Sequence, residues 1–318
     1  MLDEQTPPTP GQTIVARASR SRLPAPLQGT ATARRLRHAR HWLAATAFAR
    51  RHNGALPADA PLLRFYPGRP QPRAQIRRVV ERLGLRIAFA PDGRAPGVTL
   101  AWDSGSWFDP RAARRLPPDA LNARCLDVSK STVDRLWQQV AGYGVTVDPL
   151  TTSGPIVVKS ELNGTHDGEL LMGPLPARRA GHVYQRLIDG RRDGRVYATR
   201  AIIVGRGIAL GLEKWRPYPN WFHGGSVVTP AEPAELWSAD EMALIMRLCA
   251  AIGLDYGEVD VLREAATGLI YVIDVNRTPI RPIGLGPEHD ERVYSTLAAA
   301  FAELYAERSS SGAARSAR

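Results

Sequence analysis

The chain has 318 residues, 44% of them hydrophobic, and 42 Lys+Arg against 31 Asp+Glu give a formal net charge of +11. That apolar fraction is ordinary for a globular protein, and no apolar run approaches the roughly 18 residues of a membrane span, so no membrane span is expected. Two cysteines, Cys125 and Cys249, exclude a disulfide scaffold and a cysteine-based zinc site and suit a reducing, cytoplasmic compartment.

Residues 1–29 are rich in Pro, Thr, Ser and Gln and are predicted to be a disordered tail. They open on Asp3 and Glu4 rather than on the basic and apolar regions of a secretory signal. From 30 to 55 the pattern predicts a basic amphipathic helix, with Leu36, Leu43, Ala47 and Phe48 near one stripe. It is expected to pack on the body rather than lie on a membrane. Residues 56–120 alternate short apolar runs (LLRFYP, RIAFAP, GVTLAWD) with one helical segment, QIRRVVERLG, as a small α/β domain does. A helix is predicted from Ser129 to Tyr143, with Ser131 and Asp134 as a capping box and Gly142 as its stop. Strands are predicted at Ile156–Lys159, Val196–Val204, Ile208–Leu212, Glu258–Leu262 and Leu269–Val275. Ser238 and Glu241 open a helix that Gly253 closes, and Asp290 starts a last helix reaching about Ala306. Residues 308–318 read as a second tail. The pattern is α+β with antiparallel hairpins.

Charge is concentrated at the ends. Residues 1–51 hold nine arginines against Asp3 and Glu4, and residues 308–318 hold three more, which leaves residues 52–307 close to neutral. A nucleic-acid binder should interleave basic and aromatic residues on its folded surface. No stretch of this sequence does so, and nucleic acid is not expected as a partner. Only three cations are lysines, Lys130, Lys159 and Lys214. In a chain that otherwise writes arginine, each marks a place where a compact ammonium is wanted.

Four segments carry candidate chemistry. In GEVDVL and YVIDVNRTP, strand alternation puts Glu258 and Asp260 on one face and Asp274 and Asn276 on one face of the next strand. Val259, Val261, Tyr271, Ile273 and Val275 are expected to turn into a core. Clustered carboxylates need a cation, and oxygen ligands in this number suit Mg²⁺. A solvated acidic face, with Glu258 paired to a nearby arginine, is the alternative. In IVVKSELNGTHDGEL, Lys159 ends a strand and Gly164 and Gly168 sit in a loop of the kind that approaches phosphate, although an ordinary hairpin turn has the same look. Lys130 opens a helix, where the macrodipole favours anions. Finally, Arg200 begins one strand, Lys214 and Arg216 end the next, and an aromatic, glycine-containing loop carrying His223 follows.

The order of these segments, with the hinge YQRLID and the closing D-x-L…D-x-N-x-T-P pattern, resembles the ATP-grasp superfamily from about Asn122 to Tyr305. ATRAIIVG and NWFHGG are similar to motifs of its ribosomal-protein glutamate ligase and glutathione synthetase branch. The resemblance implies an ATP-grasp fold preceded by a small α/β domain, with a lid subdomain over 121–190 and a metal-bearing C-terminal subdomain over 191–307. It implies ATP as cofactor with Mg²⁺, Mn²⁺ being an alternative. Lys130 and Lys159 correspond to the phosphate-holding lysines, and Asn163, Gly164, Thr165 and Gly168 to the phosphate-covering loop. Gln185 and Leu187 fall at the adenine hinge. Arg200 corresponds to the arginine that stabilises the transferred phosphoryl group, and Asp260, Asp274 and Asn276 to the metal ligands. Gln185 and Asp274 stand where the family more often has Glu. The activity so implied is a carboxylate-amine ligase acting through an acyl phosphate on small-molecule acid and amine substrates. The loop Arg216 to Gly225 with Arg277 and Arg281 holds the candidates to clamp the acid, a surface ion pair being the alternative for each arginine, and Lys214 is a candidate γ-phosphate or acceptor contact. A nucleotide-binding regulatory protein with a degenerate site, or a small-molecule kinase on the same fold, are the alternatives. The sequence leaves the oligomeric state open.

Overall fold

The computed structural model describes residues 31–90, 97–165, 167–222 and 226–316. The expected N-terminal tail, His166 and residues 223–225 of the aromatic loop lie outside them. Mixed helix and sheet form an α+β molecule built on three sheets.

Helix α1 (Ala31–Gly54) leads into β1 (Leu62–Pro67), α2 (Gln75–Leu83), β2 (Arg86–Ala88) and β3 (Val98–Trp102). The three strands are parallel in the order β2-β1-β3, as a strand–helix–strand unit requires. Helix α1 packs on this unit: His52 Nε2 lies 2.9 Å from the Leu85 carbonyl, and Asn53 exchanges two 2.8 Å hydrogen bonds with Ile87. The expected stripe is rotated. Ala45 and Ala49 are buried, with Phe48 packed beside them, whereas Leu43 is 65% exposed and Ala47 is exposed. Alanines let the helix approach the sheet closely, so the small side chains face inward and the leucine does not.

Helix α3 (Lys130–Ala141) begins after Ser129 and stops at Gly142, whose φ of 85° is the left-handed cap expected of it. The Ser131/Asp134 capping box does not form. The Ser131 amide and hydroxyl instead donate to Glu161 Oε1 at 2.9 and 3.0 Å, and Asp134 accepts from the amides of Val145 and Thr146. Strands β4 (Gly154–Ser160), β5 (Glu169–Gly173) and β6 (His182–Arg186) form a small antiparallel sheet in the order β5-β4-β6. The large antiparallel sheet holds β7 (Arg191–Arg192), β8 (Arg195–Val204), β9 (Gly207–Pro217), β10 (Val227–Ala231), β11 (Tyr256–Arg263) and β12 (Ile270–Asn276). Its order is β10-β9-β8-β11-β12, with β7 on β8. Helix α4 (Ala239–Ile252) has the predicted capping box: Ser238 Oγ accepts the Glu241 amide at 3.2 Å and the Glu241 carboxylate accepts the Ser238 amide at 2.9 Å. Helix α5 (Asp290–Ser316) runs past the expected end at Ala306 and through most of the predicted tail. Arg308 donating to Asp255 at 2.8 Å ties this extension to the body.

Two cores sandwich the large sheet. One face packs Ile202, Val204, Leu210, Leu212 and Tyr256 against α5 and the N-terminal unit. The other packs Ala201, Ile203, Val259, Val261 and Val272 against α4 and against Val133 and Trp137 of α3. Leu63 to Trp102 of the N-terminal unit share a core with α5, and α3 packs with the large sheet rather than with β4–β6.

Candidate functional site

The site occupies one end of the sheet face that packs on α5. Along each central strand that face changes from apolar to charged: Val204 and Ile202 give way to Arg200, Leu210 and Leu212 to Lys214 and Arg216, and Tyr256 to Glu258 and Asp260. Register brings the polar ends together, since Asp260 pairs with Arg200 on one side and with Asp274 on the other, and Glu258 pairs with Asn276. Strand alternation thus gathers the four oxygen-bearing groups as expected. A bulge between Asp260 and Val261 corrects the core pattern. Val272 rather than Ile273 joins Val261 and Val275, while Tyr271 and Ile273 turn towards Val145 and Ile188.

Arg200 is the centre of a hydrogen-bonded network. Its Nε and Nη2 donate to the two carboxylate oxygens of Asp260 at 2.6 and 3.0 Å, and Nη1 donates to Glu258 Oε2 at 2.7 Å. Lys214 Nζ lies 3.7 Å from Asp260. Glu258, only 2% exposed, also accepts from Gln75 Nε2 at 2.6 Å, so α2 of the N-terminal unit reaches the site. The ion pair considered for Glu258 is thus present. Nothing local in the sequence marks Gln75, which lies 183 positions away.

Lys159 and Lys130 approach from the other side. Lys159 stands on β4 on the face it shares with Val157, whose cross-strand partner is the buried Gln185, the predicted hinge residue. Leu187 follows just beyond β6, half-buried. The Lys130 side chain is buried and donates to the Leu162 carbonyl at 3.0 Å. The loop after β4 is tied down beside it, with the Asn163 amide donating to Ser106 Oγ at 2.7 Å and Thr165 Oγ1 to Asp167 at 2.9 Å. Gly164 has a φ of 71°. Gly168 lies under Phe222, whose ring a Cβ there would meet at 3.0 Å, so this loop and the aromatic loop touch. Arg216 Nη1 donates to the Trp221 carbonyl at 2.9 Å and holds that aromatic loop in place.

The electrostatics are those of a crowded, poorly solvated cluster. Burial alone would raise Asp260, but Arg200 and then Lys214 hold it well below the usual carboxylate range. Asp274 goes the other way, raised by burial and by the Asp260 charge against which Lys130 and Lys159 act. Burial pushes Lys159 down to about 8 despite Asp274, with Lys130 adding to the effect, and burial also lowers Lys214 and Arg216. The buried polar atoms without a hydrogen-bond partner include Asp274 Oδ1, Arg216 Nε and Gln75 Oε1.

Two expected clamp residues are elsewhere. Arg277, 1% exposed, donates to the carbonyls of Asp103, Gly105 and Cys125 at 2.8, 2.9 and 2.6 Å. Arg281 pairs with Asp290 at 3.0 Å. Neither guanidinium is free for a substrate.

Asp274 offers a divalent cation its unpaired oxygen, whereas both Asp260 oxygens accept from Arg200. Among the described residues no group of three or more His, Cys, Asp or Glu side chains makes a ready metal site. Two carboxylates suffice for Mg²⁺ when phosphate and water complete the shell. Asn276 Oδ1 accepts from the Thr278 amide at 3.0 Å and keeps a second lone pair.

Among solved structures this chain is similar to several ATP-grasp ligases. The ATP-grasp ligase PsnB complexed with a minimal precursor is 18% identical with a TM-score of 0.41, the match covering 56% of this chain and 60% of that one. The RimK domain protein ATP-grasp from Sphaerobacter thermophilus DSM 20745 is 17% identical with a TM-score of 0.48, covering 77% of this chain and 99% of that one. The VanG D-Ala:D-Ser ligase from Enterococcus faecalis is 12% identical with a TM-score of 0.42, covering 73% and 69%. The chain matches no sequence-defined family and no curated protein. Among the described residues no helix is long and apolar enough to cross a membrane.

Proposed function

We propose that this chain is an ATP-grasp ligase that joins a carboxylate to an amine through an acyl phosphate, using ATP and Mg²⁺. The observation that carries the reading is the convergence of Lys130, Lys159, Lys214, Arg200 and Arg216 on Glu258, Asp260 and Asp274. Five cations on three carboxylates leave an uncompensated positive charge in a poorly hydrated place, and a polyphosphate supplies the missing negative charge. The unpaired Asp274 Oδ1 suits a cation, and the unpaired Arg216 Nε suits an anion.

In this reading Asp260, Asp274 and Asn276 hold Mg²⁺, which neutralises phosphate charge and orients the transferring phosphoryl group. Lys130 and Lys159 neutralise the nucleotide's phosphates, Lys159 staying protonated at neutral pH even at about 8. Asn163, Gly164, Thr165 and Gly168 cover the phosphates, and Gln185 and Leu187 flank the adenine. Arg200, Lys214 and Arg216 orient the acid's carboxylate and take up the charge that develops as the phosphoryl group reaches it. The resulting acyl phosphate presents an activated carbonyl to the amine, which forms the C–N bond as inorganic phosphate leaves. No side chain has to act as a covalent nucleophile.

The test is a thermal-shift screen with ATP and Mg²⁺ against a panel of amino acids and dipeptides, followed by assay of ADP and phosphate. Saturating ligand at about 100 times its Kd should stabilise the fold by about 2.7 kcal/mol. ADP should appear only when a matching acid and amine are present. Lys159→Ala and Asp274→Ala should each abolish it while the variants still unfold cooperatively. Full turnover in either variant, or no shift with Mg-ATP, would sink the reading.

A further inference from the structure

We infer that the N-terminal unit, residues 31–90, is a docking surface for single-stranded nucleic acid. The near-neutral balance of residues 52–307 averages a basic part, 52–90, which continues from the basic α1, with a slightly acidic part, 91–307. Residues 31–90 contain thirteen arginines against Asp59 and Glu81, whereas residues 91–307 contain 23 cations against 27 acids. The ten from Arg40 to Arg86 belong to one folded body, because α1 packs on β2 and on the unit's core.

Arg78 pairs with Glu81 and Arg82 with Glu291, both at the surface. Arg40, Arg50, Arg51 and Arg73 are exposed and make no ion pair among the described residues. Arg77 is 8% exposed, gives its hydrogen bonds to the Pro70 carbonyl at 3.1 and 2.7 Å, and lies 4.3 Å from the Phe48 ring. Burial, partly countered by Glu81 and reinforced by Arg51, pushes it down to about 10.

The surface also has the aromatic half of the required chemistry, assembled from segments far apart in sequence. The Arg69 guanidinium lies 3.3 Å from the Trp42 ring centroid and 4.4 Å from that of Phe89, forming a ring–cation–ring column. Its outer ring, Trp42, is 47% exposed. From Ala39 to Leu43 every residue is exposed, so Trp42 is open to solvent beside its contact with Arg69. An unpaired base can extend such a column by stacking on Trp42 while the phosphates of neighbouring nucleotides run along α1 to Arg50 and around it to Arg40 and Arg51. The Asp and Glu side chains of a polyacidic peptide have no ring to continue the stack. An anionic membrane calls for an apolar helix face, and the apolar stripe of α1, Ala45 and Ala49, is already buried against the protein.

Fluorescence anisotropy with a labelled single-stranded RNA of about 20 nucleotides tests this on the full chain. Binding should weaken with salt, with a log–log slope of about 0.7 per phosphate neutralised. Reversing Arg40, Arg50 and Arg51 together to Glu should lower affinity at least about ten-fold and flatten the slope. Trp42→Ala should lower affinity about ten-fold and leave the slope unchanged, because stacking releases no counterions. The Mg-ATP thermal shift should be unaffected in both variants, which separates this result from the ligase reading. The inference is overturned if no binding is seen at about 50 mM salt, if the triple reversal binds as wild type, or if polyglutamate or phosphatidylserine vesicles displace the RNA as well as unlabelled RNA does.

Discussion

Arg277 and Arg281 follow the candidate metal strand within five residues of Asn276, and the sequence suggests the same substrate-clamping role for both. Their surroundings separate them from that role and from each other. Arg277 spends its donors on three backbone carbonyls in two segments, residues 103–105 and 125, and so ties both to the end of β12. Hydrogen bonds to a charged group contribute roughly 1.5–3 kcal/mol each, and a buried acceptor stripped of its donor costs the full desolvation penalty. Arg277→Met should therefore lower the unfolding free energy by about 3 kcal/mol or more, measured by denaturant titration. Arg281→Met removes a pair about one-third exposed on both sides and should cost less than about 1 kcal/mol. If Arg277→Met leaves stability intact and instead weakens ligand binding, the clamp reading returns.

At the scale of elements, local signals with a local cause were legible. Ser238 with Glu241 and the left-handed glycines at 142 and 253 cap the helices the sequence places there, because a cap is decided within a few residues. The β11–β12 pair and the shared face of Glu258, Asp260, Asp274 and Asn276 follow from alternation alone. What the sequence misread was decided at a distance. Ser131 is bonded by Glu161 rather than by Asp134, a bulge moves Val272 into the core in place of Ile273, and Gln75 enters the site from another unit. The joint between the small sheet and the large one is another such case. Arg186 at the end of β6 pairs with Glu264 at the end of β11, and its guanidinium lies 4.6 Å from the Tyr271 ring. The hydrogen bond from Arg186 is the main cause that holds Glu264 below its ordinary range. A carboxylate lowered in the folded state stabilises it above the ordinary glutamate value of about 4.3, and that contribution is lost as pH falls through the lower folded value. Glu264→Gln should accordingly have a lower Tm than wild type at neutral pH, with the gap closing as pH drops below about 4. A gap independent of pH would assign the joint to packing on Tyr271 instead of charge.

At the scale of the whole molecule, the contrast between the sheets decides how the site can open. Strands β8 and β11 lie between two large cores, one shared with α5 and the N-terminal unit, the other with α3 and α4. Strands β4–β6 rest on a core of Ile156, Val158 and Tyr184 with Val147, Leu171 and Leu175 beside it. They join the rest through Val145, Ile188 and Tyr271, and through the ties from Lys130, Ser131 and Ser106 to the loop that follows β4. Local opening is governed by the apolar area and hydrogen bonds it breaks, so the small sheet should open at a lower free energy than global unfolding. Hydrogen exchange read by mass spectrometry should show amides of residues 154–186 exchanging well ahead of those of β8 and β11. A ligand that bridges Lys159 on the small sheet and Asp260 and Asp274 on the large one binds only when the two are apposed, so Mg-ATP should slow exchange in 154–186 more than in α4 or α5. Exchange of the small sheet at the global rate, unchanged by nucleotide, would make the three sheets one rigid body and leave the buried cations without a route for a polyphosphate to reach them.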